Sequence, residues 1–185
     1  MQANDFLRQR DIGQQKQQSN RSECSEFHQF PVASFDVVCG TLPVDLFELN
    51  VAQTTLSGDS GNDGDRDVLP ISIQSSGVVT LSSLIVVSGT DLGTGGGAIH
   101  NLGDLRIYDS LFQDNYAYSG DTAGGGAIYN NNQLLVARSA FLDNEALRNG
   151  GALRNTATAT VVNSTFSGND AGASGGAIYN SNGTL

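Results

Sequence analysis

The chain has 185 residues, of which 23 are glycine and only 9 are lysine or arginine, and its formal net charge is −10. Charged residues make up 15% of it, against about 25% in ordinary soluble domains, which excludes a long Lys- and Glu-rich helical protein. The scarcity of basic residues also argues against nucleic acid as a partner, because phosphate binding needs clustered Lys and Arg.

Residues 1–34 are polar and rich in glutamine, and we predict that they are disordered. They contain no apolar stretch of the kind that a secretory signal peptide requires. No apolar run anywhere in the chain approaches the roughly 18 to 20 residues of a transmembrane helix. Cys24 and Cys39 could form a disulfide in an oxidising compartment, but their spacing leaves open whether they bond.

Residues 35–67 are predicted to hold the strands of an N-terminal cap, at 35–40 and 45–52, followed by an acidic loop. The loop carries carboxylates at nearly alternate positions, an arrangement that suits Ca²⁺; the candidate ligands are Asp59, Asp63, Asp65 and Asp67. The loop is not an EF-hand, because Gln74 stands where a bidentate glutamate would be needed. A solvated loop is the simpler interpretation, and no other cofactor is expected.

Residues 68–185 contain two motifs that repeat in one register. The first is Gly-Gly-Ala-[Ile/Leu]-x-Asn, whose aliphatic anchors are Ile99, Ile128, Leu153 and Ile178, spaced by 29, 25 and 25 residues. The second is Ser-x-Phe-x-x-Asn, whose aromatic residues are Phe112, Phe141 and Phe166. A degenerate earlier copy is anchored at Ile73, and the four extra residues of the 29-residue copy fall in a loop within 116–123.

Apolar residues alternate within each copy, which is the period of a half-buried strand, and about 25 residues per cycle suit one coil of a parallel β-solenoid. Paired glycines would allow close approach of the backbone, and the phenylalanines should stack about 4.7–4.9 Å apart. The repeated asparagines are predicted to occupy left-handed turns and could also form amide ladders; they are Asn101, Asn130, Asn155, Asn180, Asn115, Asn144 and Asn169.

This motif pair resembles the repeats of the polymorphic outer membrane protein (Pmp) family over about residues 56–185. The resemblance implies an all-β fold, a right-handed single-stranded parallel β-helix of the pectin-lyase-like type. It also implies an extracellular, outer-membrane or cell-surface protein used for adhesion, display or contact with polysaccharide or host glycans. Since Leu185 falls inside a coil and no secretion signal precedes the repeats, we interpret the chain as a fragment of a longer protein.

Many β-helices are polysaccharide lyases or hydrolases, so charged residues on the coils are candidates for catalysis. These are Asp104, Asp109, Asp114, Asp143, Asp170, Arg106, Arg138 and Arg154. Asp109, Arg138 and Asn163 share one repeat position and should be neighbours on consecutive coils. A surface ladder of ion pairs would look the same, so no catalytic residue is assigned.

The sequence therefore favours a non-catalytic surface or secreted β-helix protein. Two alternatives stay open: a pectate-lyase-like polysaccharide lyase or other carbohydrate-active enzyme, and a purely structural spacer. An outward cluster of acids and bases across three coils would favour the enzyme. His100 replaces the Tyr or Arg of the other copies, and a histidine-based metal site is not expected with one histidine in the repeats.

Overall fold

The computed structural model describes residues 36–37, 46–58, 71–91, 95–118 and 124–185. All of the regular structure in these ranges is β-strand, and they hold no helix long and apolar enough to cross a membrane. Residues 1–34, Cys24, Cys39 and the four candidate calcium ligands lie outside the described residues. The predictions made for them stay predictions.

The strands, numbered in chain order, form three sheets. Sheet A contains β1 (Asp36–Val37), β3 (Ile71–Ile73), β6 (Ile99–Asn101), β10 (Ile128–Asn130), β14 (Leu153–Asn155) and β18 (Ile178–Asn180). Sheet B contains β2 (Leu46–Ser57), β4 (Val78–Val87), β7 (Asp104–Tyr108), β8 (Leu111–Gln113), β11 (Gln133–Ala137), β12 (Ala140–Leu142), β15 (Thr158–Val162) and β16 (Thr165–Ser167). Sheet C contains β5 (Thr90–Asp91), β9 (Tyr116–Ala117), β13 (Glu145–Ala146) and β17 (Asp170–Ala171).

Each strand pairs in parallel with its copy in the next coil, so the coils stack without a change of register through the motif repeats. Leu134 lies between Leu105 and Ala159 in sheet B, as the repeat spacing predicts. Of the stretches predicted as cap strands at 35–40 and 45–52, the structure describes β1 within the first and β2 overlapping the second, and they pair with β3 and β4. The chain is thus a parallel β-solenoid of about four turns, and the predicted fold class is confirmed.

The interior of the solenoid is built from columns of identical or similar side chains. Phe112, Phe141 and Phe166 stack with ring centroids 5.0 and 4.7 Å apart and interplanar angles of 6° and 5°. This spacing follows from the separation of hydrogen-bonded strands, and it confirms the predicted aromatic stack. Burial alternates along each strand; in β7, Leu105 and Ile107 are fully buried and the residues between and beside them are half-exposed.

The paired glycines have two different roles. Gly125 has φ of +75°, a conformation that side-chain-bearing residues rarely adopt. Gly126 has an ordinary φ, but a Cβ there would overlap the carbonyl oxygen of Gly151 in the next coil. The first glycine therefore makes the turn and the second lets neighbouring coils approach.

The prediction that the repeated asparagines occupy left-handed turns is wrong. Positive φ occurs one residue before the serine or the asparagine of the second motif, as at Asp109 (50°), Asp114 (54°) and Asp143 (53°). A left-handed residue at the corner turns its side chain outward, whereas the asparagine that follows points into the stack, where Asn115 and Asn144 are fully buried. The asparagines thus act through their amides and not through their backbone angles.

The predicted amide ladders are confirmed. Asn115 Nδ2 donates to Asn144 Oδ1 at 2.9 Å, and Asn144 donates to Asn169 at the same distance. A second ladder links asparagines at the end of each sheet A strand, with donor–acceptor distances of 2.7, 2.7 and 2.8 Å from Asn101 through Asn130 and Asn155 to Asn180. In each ladder the buried amide groups find their hydrogen-bond partners in neighbouring coils.

The anchor of the degenerate copy is displaced by two residues from its predicted position. Ile71 pairs with Ile99, and Ile73 pairs with Asn101. The reason is a longer turn: four residues, 74–77, separate β3 from β4, whereas two, 102–103, separate β6 from β7. Beyond this turn the prediction holds, because Val86 pairs with Phe112 as its offset requires.

The insertion of the 29-residue copy lies where it was predicted. Ala117 pairs with Ala146, and Gly124 pairs with Asn149. The chain therefore advances by seven residues in one coil where it advances by three in the next. The extra four residues therefore fall between Ala117 and Gly124. Residues 119–123 of this loop lie outside the described residues.

Candidate ligand groove

The second wall of each coil bends at one repeated position. β4 bends at Ser83, with φ of 57°, and the later coils divide into two strands at Asp109, Arg138 and Asn163, with φ of 50°, 51° and 50°. A groove of about 580 Å³ follows this bend from coil to coil. Its lining residues are Ser83, Leu84, Ile85, Asp109, Ser110, Leu111, Arg138, Ser139, Ala140, Asn163 and Thr165.

The serine of the second motif joins the bend of its own coil to the bend of the preceding coil. The Ser110 hydroxyl donates to the carbonyl oxygen of Tyr108 at 2.7 Å and accepts from the backbone N–H of Leu84 at 3.2 Å. Ser139 repeats this arrangement, donating to Ala137 and accepting from Ser110 N–H. No role of these serines was predicted, although their repetition in register is a signal for a ladder of this kind.

Asp109 and Arg138 form an ion pair on the rim of the groove, as their shared repeat position predicted. Arg138 Nε and Nη2 donate to the two carboxylate oxygens of Asp109 at 2.8 and 2.7 Å. The hydrogen bond from Arg138 lowers the pKa of the Asp109 carboxyl, and the carboxylate in turn raises the pKa of Arg138. The guanidinium also lies 5.6 Å from the ring centroid of Tyr108, a cation–π contact.

The side of the groove formed by β4, β8 and β12 is apolar. Ile85, Leu111 and Ala140 are aligned in register on the outer face, and all three are half-buried. Thr165 continues the column in the next coil and is exposed. The groove therefore has a charged and amide-bearing rim along the bend and an aliphatic wall beside it.

The other candidate residues lie elsewhere. Asp104 pairs with Arg106 at 2.9 Å on β7, and Asp114 and Asp143 occupy the second left-handed corner. Asp170 lies on sheet C beside Glu145, and Arg154 lies on sheet A over the Tyr129 ring at 5.0 Å. Of the eight candidates, Asp109 and Arg138 alone line the groove. Within the described part of the chain, no three His, Cys, Asp or Glu side chains are grouped so as to hold a metal ion.

His100 belongs to a column on the outer face of sheet A. Its ring stacks on Tyr129 with centroids 5.3 Å apart and an interplanar angle of 4°. Burial lowers the pKa of His100, and the nearby Asp91 carboxylate partly opposes that effect. The Nε2 atom is buried and has no hydrogen-bond partner among the residues that the structure describes, so the site favours a neutral imidazole.

Parallel coils joined by serine and asparagine ladders define a β-solenoid repeat protein. The chain is similar to the Chlamydia polymorphic membrane protein repeat, whose family model matches residues 109–131 and 163–181. Each matched segment begins at a left-handed corner residue, Asp109 or Asn163, and contains both motifs. The predicted resemblance to this repeat is confirmed, and the family that carries the repeat consists of surface or outer-membrane proteins. Comparisons with curated proteins and with solved structures gave no match.

Proposed function

We propose that this chain is the non-catalytic solenoid of a surface protein and that its groove contacts glycans for adhesion or display. The observation that carries the proposal is the pairing of two surfaces in one groove. The rim presents the side chains of Asp109, Arg138 and Asn163, and the wall presents Ile85 and Leu111. Sugars carry hydroxyl groups at their edges and C–H groups on their faces, so they fit sites with a few placed polar groups beside apolar ones.

The state of the ion pair favours binding over catalysis. Both carboxylate oxygens of Asp109 accept from Arg138, so this carboxylate is engaged on the side where a base or a metal ligand would act. Its lowered pKa keeps it ionised near neutral pH, which makes it a poor general acid. The pair is suited instead to offering hydrogen-bond donors and acceptors in a fixed geometry.

The rim is held rigidly, which lowers the entropic cost of binding. Ser110 and Ser139 directly follow Asp109 and Arg138 in the sequence. Their hydrogen bonds join the corner of each coil to the corner of its neighbour. A ligand that contacts several coils therefore meets a surface that is already ordered. This property supports a role in contact with extended, repetitive ligands.

Asn163→Gly tests the proposal, because glycine keeps the left-handed backbone and removes the amide. We expect the wild-type chain to bind at least one oligosaccharide on a glycan array, and the variant to bind it several-fold to about tenfold more weakly in calorimetry. Asn182→Gly is the matched control, since Asn182 is also exposed and left-handed, with φ of 62°, but lies outside the groove. If no glycan binds, a structural spacer becomes the better description.

The enzyme alternative has its own test. Incubation of the chain with polygalacturonate, with and without Ca²⁺, is expected to give no unsaturated products. Robust release of such products, measured by their ultraviolet absorbance, would contradict a non-catalytic role. Asp109→Asn would then show whether the turnover depends on the groove.

A further inference from the structure

The charges of the residues that line the groove cancel. Among its lining residues in the described part of the chain, Arg138 is the one cation and Asp109 the one anion. The two bond to each other through both oxygens and two nitrogens of the guanidinium. An anionic ligand therefore finds no uncompensated positive charge there, and would have to displace a carboxylate that is already in place.

The negative net charge of the chain also disfavours anionic ligands. With a formal net charge of −10, the protein repels polyanions over distances up to the Debye length, about 8 Å at physiological ionic strength. A protein that captures polyuronate or sulfated chains would need clustered basic residues to overcome this repulsion. The chain has 9 Lys and Arg in 185 residues.

The aliphatic wall adds a positive preference. Ile85, Leu111 and Ala140 form a half-buried stripe next to the rim, and covering it with the C–H face of a sugar would remove apolar surface from water. Carboxylate or sulfate groups on the sugar would lose hydration beside this wall without gaining a cation.

We propose, on the basis of the glycan-binding function above, that the groove selects neutral oligosaccharides over anionic ones. The equivalent positions from Ser83 to Asn163 span four coils, or about 14 Å at the usual separation of strands. This length suits an extended oligosaccharide lying parallel to the solenoid axis rather than a single sugar. Hydroxyl groups would meet the rim in successive coils, and the sugar faces would lie against the aliphatic wall.

The test compares neutral hexasaccharides of glucose, mannose and galactose with hexagalacturonate and a heparin hexasaccharide, by calorimetry on the full chain. We expect binding of a neutral hexasaccharide at least tenfold tighter than that of either anionic one, with little dependence on salt. Tighter binding of an anionic hexasaccharide would overturn the inference while leaving glycan binding intact. Failure of every hexasaccharide to bind would overturn glycan binding itself, and the inference with it.

Asp109→Asn tests the physical cause of the selectivity. Asparagine tolerates the left-handed backbone of this position, and the substitution leaves Arg138 with an uncompensated charge. Affinity for hexagalacturonate should rise about tenfold and fall again with added salt. Asp104→Asn is the matched control, because it makes the same change in net charge and breaks the ion pair to Arg106 outside the groove. An equal gain in both variants would show that net charge, and not the groove, decides the preference.

Discussion

The carbonyl oxygen of Gly151 occupies the place into which a side chain on Gly126 would project, and Gly176 stands in the same relation to Gly151. At Gly176 itself the nearest atom to an added Cβ is the Asn169 carbonyl oxygen, at an ordinary 3.4 Å. These three glycines hold one repeat position, and the space around Gly176 differs because no described strand pairs with β18 on the side away from β14.

Substitution by alanine should therefore have unequal effects along this column. Gly126→Ala is expected to lower the free energy of unfolding by at least about 3 kcal/mol, because backbone atoms of two coils must move apart. Gly176→Ala should change it by less than about 1 kcal/mol. Urea unfolding followed by circular dichroism measures both; similar losses in the two variants would contradict the close approach of the coils.

The aromatic stack predicts a large loss of stability from a central truncation. Phe141 is fully buried between Phe112 and Phe166, so Phe141→Ala removes contacts to both rings and should cost about 3–5 kcal/mol. Leu147→Ala is the comparison, since Leu147 is 45% exposed and should lose about 0.5 kcal/mol or less. A Phe141 variant as stable as the parent would be incompatible with a stacked interior.

The amide ladder predicts a pH-dependent defect in Asn144→Asp. Asn144 Nδ2 donates to Asn169 Oδ1 at 2.9 Å and to the Phe112 carbonyl oxygen at 3.0 Å, and an ionised aspartate can donate to neither. Burial should raise the pKa of the new carboxyl above its unfolded value of about 3.9. The variant should therefore lie closest to wild type below about pH 4 and lose stability, by several kcal/mol, as pH rises through the folded pKa.

Thermal unfolding at pH 4 and pH 7 measures this difference. Asn182→Asp makes the same change in charge at an exposed position and should show a much smaller pH effect. A loss in Asn144→Asp that is equal at the two pH values would mean that packing, rather than the donated hydrogen bonds, is disturbed.

His100 predicts a loss of stability on mild acidification. Burial lowers its pKa in the folded protein, so the unfolded chain takes up the proton more readily, near pH 6.5. Its contribution to stability is complete above that value and falls as pH decreases below it. His100→Tyr places at this position the residue found at Tyr129 and Tyr179, and should reduce the change in urea midpoint between pH 7.5 and 5.5. An unchanged pH dependence would exclude His100 as its source.

The sequence was most informative about the columns of the interior. In-register phenylalanines and asparagines predicted their own stacking, because equal spacing in a solenoid brings equal residues together. It misplaced the Ile73 anchor by two residues, since apolar residues at both Ile71 and Ile73 fit a buried strand and the length of the following turn is not marked by any periodicity.

The groove was only partly predictable for a similar reason. The shared position of Asp109 and Arg138 predicted that they are neighbours, but not that the wall bends there. Ser83, Asp109, Arg138 and Asn163 have no chemistry in common that signals a left-handed corner, and arginine is an unusual choice for it. The bends of neighbouring coils are joined by the serine hydroxyls next to them, which is a relation between coils.

Because the ladders join identical residues of successive coils, whole coils can be added or removed without changing the contacts between coils. Removing residues 131–155, a span of 25, would connect Asn130 to Thr156 and place the motif asparagines, serine and phenylalanine of the following coil beside identical residues of the preceding one. The same holds for duplication of that span. The solenoid can therefore lengthen or shorten by whole coils through recombination of the gene, and the core packing stays the same. The length of the groove would change with the number of coils.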